Sequence, residues 1–381
     1  MEKYDIVIVG GGLIGKSLAI ALSSLNFKIA IIDSNFMKPL LSKSFDKRVS
    51  AIVPSTINFL KDIGIWNNIQ RKRSFRTTYV WDQNSNGKLH FNSYKNDLGF
   101  VIENNQIIFA LSNAIETRNN IKFIKSKVKS IYKKENNYQL QLDCLEKLSA
   151  TLVIGSDGYN SSIRKLANIS CKYRDYNQHA FVFNIKTKEN LDNAIWQRFN
   201  SDSISAVLPL DNNIASIVWS VTNKLKNRLD TIPQNLYKQS FSRSIEHFFG
   251  EFEIITDITS FPLFELLAED YVKPNLLLIG DAAHRIHPLA GQGANLGFGD
   301  IIDLLEILSR TPKDLIGEIR LLKKYERRRK FQNLMISHTM TTLDRLFKLN
   351  NETTRLIRGS GMNLINSSEF LKDKIIKISS S

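Results

Sequence analysis

The chain has 381 residues, 43% of them hydrophobic and 23% charged, with a formal net charge of +15. These are the proportions of a soluble globular protein, and at roughly 150 residues per domain they allow two or three domains, or one composite unit, with a core that needs no disulfide staples. Lys, Asn and Ile are abundant throughout, so the positive charge reads as a solvated surface and no nucleic-acid partner is expected.

From the N-terminus, residues 4–9 form a β-branched run broken by Gly10-Gly11-Gly12. Residues 13–25 then read as a helix and 28–32 as a second strand, a βαβ pattern. Residues 4–25 are apolar enough to be mistaken for a signal sequence, but Asp5, the three glycines and Lys16 argue against one. Helix is expected over 56–65 and 105–116. Residues 76–100 alternate as antiparallel strands do, and 121–142 read as strands with a turn near 134–137. A buried strand over 151–154 ends at Gly155. Strands are expected within 178–222, a helix over 234–249, and another buried strand over 275–279. From Gly293 to about residue 349 the chain reads mainly as helix, and the last dozen residues as a frayed end. No stretch of about 18 uninterrupted apolar residues predicts a membrane span.

The organisation is α/β at both ends with β-rich insertions. A nucleotide-binding domain is expected from segments 1–74, 100–170 and 266–350, a second domain from 75–99 and 171–265, and a helical segment and tail from 351–381. Residues 311–381 carry 15 Lys+Arg against 7 Asp+Glu, a local charge of +8 that suits an acidic partner or an anionic membrane surface. Cys144 and Cys171 share no C-x-x-C or metal-ligand spacing, which fits a reducing cytosol and predicts no metal site.

Three segments carry chemistry. In Gly10-x-Gly12-x-x-Gly15 the first glycine allows a tight turn, the second a close approach to a pyrophosphate, and the third close packing of the helix on the sheet. The helix N-terminus offers free N–H groups to the phosphates. Asp33, 18 residues after Gly15, ends the second strand, where a carboxylate accepts from an adenosine ribose. The spacing predicts dinucleotide binding without separating FAD from NAD. The second segment, 276–284, is a buried strand ending in Gly280-Asp281. It leads through His287-Pro288 and Gly291-Gln292-Gly293-Ala294-Asn295 into a helix whose N-terminus suits a negative charge. The third is Asp157-Gly158 with Ser161 and Arg164, which by itself reads as a turn and a helix cap.

Together these segments resemble the class A flavoprotein monooxygenases, and more closely their ubiquinone-biosynthesis hydroxylases. The stretch from Gly280 to Gly297 matches that group's signature nearly residue for residue, and the similarity covers about residues 3–366. Asp33 and Ala294 are small departures from it. The resemblance implies an aromatic-hydroxylase fold: a Rossmann-type FAD-binding domain with an inserted antiparallel β-sheet substrate domain and a helical C-terminal part. It places Gly10, Gly12, Gly15, Asp33, Arg48, Asn104, Asp157, Gly280, Asp281, Gly291, Gln292, Gly293, Ala294 and Asn295 on the FAD, and His287 and Pro288 beside the flavin ring as catalytic candidates.

The activity it implies is hydroxylation of a polyprenylated phenol in ubiquinone biosynthesis. FAD, reduced by NAD(P)H or a reductase protein, takes up O₂ and delivers one oxygen through a C4a-hydroperoxide. Phe181, Phe183, Val207 and Trp219 are candidates to line the groove for the prenyl tail, or are ordinary sheet core. Other ubiquinone-biosynthesis proteins are expected partners. Arg327–Lys330 is a candidate to face a membrane or an acidic partner, with the protein cytoplasmic, at the inner face of the membrane. A hydroxylase of a soluble aromatic acid and a flavin-bound, non-catalytic subunit are the alternatives.

Overall fold

The computed structural model describes residues 1–35, 38–93, 96–233, 236–245, 250–287, 293–349 and 351–379. Strand Glu2–Val9 lies between Ile29–Asp33 and Lys147–Gly155, parallel to both, with helix Leu13–Ser23 connecting the first two. Ile121–Lys125 extends the parallel sheet beyond Ile29–Asp33, and Leu276–Leu278 extends it beyond Lys147–Gly155. Ile6, Val7 and Ile8 are fully buried, as a parallel sheet covered on both faces requires. The long strand Lys147–Gly155 shares its outer edge, since its first half pairs antiparallel with Asn137–Leu142 and its last residues pair with Leu276–Leu278. Val9 lies opposite both Ile32 and Gly155, and Gly155 opposite Leu278, so these strands end together. The crevice outside such carboxyl ends is where open α/β sheets bind ligands.

A second sheet of nine strands begins with the antiparallel pair Thr77–Asp82 and Lys88–Asn92. It runs through Ala194–Phe199, Ser203–Pro209, Ile214–Thr222, Cys171–Thr187 and Thr259–Ala268 to His284–Arg285. His284–Arg285 follows closely on Leu276–Leu278 of the first sheet, so the Gly-Asp turn links the two sheets directly. Between them sits a three-stranded antiparallel sheet of Val49–Ile52, Gly99–Glu103 and Arg73–Phe75.

The faces of the nine-stranded sheet have different neighbours because side chains alternate with period two. Phe181, Phe183, Val207, Ile217 and Trp219 pack with Leu229, Tyr237 and Phe241 of helices Asn223–Asp230 and Tyr237–Ser244. Ile195, Ala206 and Leu208 point the other way, against Ala51, Phe75 and Val101 of the small sheet. The groove-lining role considered for Phe181, Phe183, Val207 and Trp219 is therefore not met. They form the core under the helices, and the opposite face looks toward the middle of the molecule.

The C-terminal part is mainly helical, as expected, and departs from expectation at its end. The helix begun at Gly293 ends at Leu308, and a new one runs over Ile319–Lys348; Pro312, which cannot donate to a helix ladder, lies in the break. Helix Glu352–Ser367 follows as the expected helical segment, and the end expected to fray continues as helix Glu369–Ser379. The first of these is anchored by a buried ion pair, Arg358 Nε to Asp82 Oδ2 at 2.9 Å. Its Asn363 and Asn366 side chains accept from the backbone N–H groups of Lys88 and His90 at 3.3 and 2.9 Å, which protects an edge strand.

Candidate active site

Gly10 turns with φ +110°, and a Cβ there would lie 2.4 Å from the Ser156 carbonyl oxygen. A Cβ on Gly15 would lie 1.9 Å from the Gly10 oxygen. These glycines allow three chain segments to meet. Gly12 differs, because a Cβ on it would meet nothing within 4 Å. It caps helix Leu13–Ser23 beside open space, with the unpaired N–H groups of the first turn available to a phosphate. Asp33 Oδ2 accepts from Gly11 N at 2.6 Å and Oδ1 from Asn35 N at 2.8 Å. A carboxylate has about four acceptor positions, so capacity for a ribose hydroxyl remains.

The Asp157 segment meets this turn through Ser156, whose hydroxyl donates to the Gly10 carbonyl at 2.9 Å. Asp157 Oδ2 accepts from Ser162 N at 2.6 Å, while its Oδ1 is buried without a hydrogen-bond partner among the described residues. Ser161 caps the short helix Ser162–Leu166 by accepting from Arg164 N at 3.0 Å. The buried Arg164 guanidinium donates to the Ala282 carbonyl at 2.8 Å and so ties this segment to the Gly-Asp turn.

Gly280 sits at φ +57°, and Ile14 packs against it. A Cβ on Gly297 would lie 2.7 Å from Ile14 Cδ1, so one isoleucine of the first glycine turn fills the notch between Gly280 and helix Gly293–Leu308. Asp281 is exposed. Desolvation by the protein around it nevertheless pushes its carboxyl up, against the pull of Arg285 and His284. A side chain both accessible and closely surrounded lines a cleft.

Arg48, Asn104 and Asn295 converge on strand Val49–Ile52. Asn104 Oδ1 accepts from Ser50 Oγ at 2.7 Å. The Asn295 side chain donates to the Ala51 carbonyl at 2.8 Å and accepts from Thr56 Oγ1 at 3.0 Å, which makes it a brace; its contribution to a ligand is left to the backbone of the first helical turn. Arg48 is exposed and its guanidinium has no partner among the described residues. Gly293 and Ala294 open the helix itself. Pro288, Gly291 and Gln292 lie outside the described residues.

A buried charged cluster that sequence reasoning missed supports the Gly-Asp turn. Asp300 is fully buried and accepts from Gly280 N at 2.8 Å, His284 Nε2 at 2.6 Å and Arg329 Nε at 2.6 Å. Burial pushes its carboxyl up, but His284 and Arg329 outweigh that and hold it below the usual carboxylate range. Asp300 shares a buried helix face with Phe298, Ile301 and Leu304. A charge within that apolar stripe was the available signal. The cluster also corrects the reading of residues 327–330 as an outward basic patch, since Arg329 is buried and Arg328 pairs with Asp303 and Glu306 at 2.9 and 2.6 Å.

His287 is buried, with its ring edge-on to Tyr176 at a centroid distance of 4.8 Å. Its Nε2 lies 2.9 Å from Gln178 Oε1, and burial pushes its pKa down to about 4, so the ring is neutral.

No ligand is present, and the residues fit an extended dinucleotide. Gly12 leaves open space at a helix N-terminus, Asp157 keeps an unpaired buried oxygen, and Asp281 lines a cleft at the carboxyl edge of the sheet. A sequence profile described as FAD binding domain matches residues 3–336. The chain is similar to 3-demethoxyubiquinol 3-hydroxylase of Escherichia coli (strain K12), 30% identical over 388 residues, covering 99% of this chain and 98% of that protein. It is also similar to the mitochondrial ubiquinone biosynthesis monooxygenase COQ6 of Mus musculus, 31% identical over 439 residues, with 99% and 91% covered. In fold it is similar to p-nitrophenol 4-monooxygenase PnpA from Pseudomonas putida DLL-E4, with a TM-score of 0.80 at 16% identity over 100% of this chain and 99% of that one.

Proposed function

The chain belongs to the FAD binding domain family and is an FAD-dependent monooxygenase, and from that premise we propose that it hydroxylates the aromatic ring of a polyprenylated phenol on the route to ubiquinone. The observation that carries this reading is the open space over Gly12 at a helix N-terminus, in a chain similar along its length to ubiquinone hydroxylases.

Bound FAD supplies the activation of O₂, which no side chain performs. The protein's part is holding and shielding. Gly12 and the first turn of Leu13–Ser23 would take the pyrophosphate, with Gly10 and Gly15 allowing that approach, and Asp33 would take the adenosine ribose. Asp281 would hold the ribityl chain, and Arg48, Asn104 and Asp157 would add polar contacts. The N–H groups of Gly293, Ala294 and Asn295 would favour negative charge on the reduced ring. Pro288, Gly291 and Gln292 belong to the same ring-end proposal. Segments 1–74, 100–170 and 266–350 would hold the cofactor, and 75–99 and 171–265 would wall off water from the reacting ring. Electrons would come from NAD(P)H or a reductase protein.

Contact with the membrane that stores a lipid-tailed substrate, at its cytoplasmic face and alongside other ubiquinone-biosynthesis proteins, is part of the proposal. Among the described residues no helix is long and apolar enough to cross a membrane. Helix Ile319–Lys348 exposes Phe331, Leu334 and Met335 among Lys324, Arg327 and Arg345, while its two acids, Glu326 and Asp344, are buried. That face supports contact with an anionic surface. Flotation with anionic liposomes tests it, and absence of binding at both low and high salt removes it.

For the reaction, the purified protein is loaded with FAD and given reductant, O₂ and a prenylphenol. The expected product carries one more oxygen atom by mass spectrometry. Well-folded protein that stays colourless when FAD is supplied would end the proposal.

A further inference from the structure

His287 is held by a chain of hydrogen bonds that leaves one of its nitrogens without a partner among the described residues. Asp344, on helix Ile319–Lys348, accepts from Lys348 Nζ at 2.8 Å and from Gln178 Nε2 at 3.0 Å. A carboxylate only accepts, so Gln178 must turn its NH₂ toward Asp344 and its oxygen toward His287. That oxygen, 2.9 Å from His287 Nε2, in turn requires Nε2 to carry the proton. Nδ1 is then a bare acceptor, and it is buried with no hydrogen-bond partner among the described residues. A buried acceptor left unpaired is costly, and water does not compete for it.

The placement of this acceptor is informative. Gln178 lies at a register shift in strand Cys171–Thr187, where Asn177 takes φ +54°. It precedes Ala180 on the strand, and Tyr176, Ala180 and Leu263 pack together beside partly buried Val218. These small and apolar residues lie on the sheet face opposite the helix-covered one. His287 itself ends the described part of the Gly-Asp segment. One sheet and one distant helix thus combine to orient a neutral acceptor where the Gly-Asp segment meets the apolar face.

We propose that His287 orients the aromatic substrate by accepting its phenolic O–H at Nδ1, with Gln178 and Asp344 as positioning residues that fix the tautomer. This rests on the monooxygenase reading above and deepens it. The ligand class is a neutral ring bearing a hydroxyl donor, and an aryl ether of the same shape would lack the donor.

The test uses the full chain loaded with FAD, titrated with 2-geranylphenol and with its methyl ether, 2-geranylanisole, and followed by flavin absorbance. The phenol is expected to bind about tenfold more tightly, and in His287→Leu the two ligands should bind alike. In Gln178→Met, which removes the tautomer lock without touching the acceptor, the ratio should fall and ¹⁵N histidine spectra should show Nδ1–H alongside Nε2–H. Wild-type spectra should show Nε2–H alone. Equal affinities in the wild type, a ratio preserved in His287→Leu, or a wild-type Nδ1–H signal would each overturn the assignment. A chain that takes up no FAD, seen directly in its visible spectrum, would instead overturn the enzyme reading and this inference with it.

Discussion

Two glycine turns meet at Ile14, and they are held in different ways. The turn at Gly10–Gly15 is shaped by backbone contact: Gly10 lies against Ser156, and Gly15 against the Gly10 oxygen. The turn at Gly280 is held by charge, with Asp300 gathering the Gly280 N–H, His284 and Arg329 in a buried cluster. A turn built from close backbone approach needs particular residues at fixed spacing. A turn held by a buried ion cluster draws its partners from wherever the fold brings them, here a helix beginning at Ile319. The first is exposed to any atom added at Gly10 or Gly15, the second to any uncompensated charge.

That contrast can be broken experimentally, and the largest effect is expected in the first turn. Gly15→Val puts a side chain where a backbone oxygen already stands and cannot yield, so a loss of about 5 kcal/mol or failure to fold is expected. Thermal denaturation and soluble yield would show it, and a near-wild-type melting temperature would refute the packing argument. In the second turn, Asp300→Ala leaves Arg329 and His284 facing a missing carboxylate in a dry interior, which costs about 3–5 kcal/mol. Replacing both charges, as Asp300→Leu with Arg329→Met, should recover part of that loss in denaturant melts. No recovery would mean that the cluster is not acting through charge.

A smaller effect depends on pH. His287 is held at about 4, below its ordinary 6.5, so between these values the unfolded chain binds more protons than the folded one. Its contribution is complete above pH 6.5 and is lost as pH falls toward 4, up to about 3 kcal/mol. The difference in unfolding midpoint between wild type and His287→Leu should change over that range and stay constant above it. The smallest stability effect belongs to Gly12→Ala, whose methyl group meets nothing. It should alter the ligand-free melting temperature by no more than about 1 kcal/mol equivalent, yet weaken FAD binding at least about tenfold, because the space it fills is the ligand's. Equal losses in both measurements would make Gly12 a structural glycine like Gly15.

Much of the fold was legible along the chain. Period-two alternation and glycine punctuation located the strands, and the βαβ unit followed from spacing alone. Pro312 marked a break in the C-terminal helix that apolar content concealed. The apolar residues Phe181, Phe183, Val207 and Trp219 marked a strand face correctly as apolar, but which face turns toward the centre depends on what covers the other. Residues 327–330 read as one basic run, although a helix sends Arg329 inward and Arg327 outward.

By itself the sequence determined the local requirements: where glycine must stand, where a strand must end in an acid, and where a helix must start beside a phosphate. These depend on neighbours within one turn or one strand. The tertiary structure alone decided which charges would be buried together and which histidine nitrogen would be left free. Asp300, Arg329, Gln178 and Asp344 acquire their roles from contacts between distant segments, and the cost of burying a polar group is set by the partner that packing delivers.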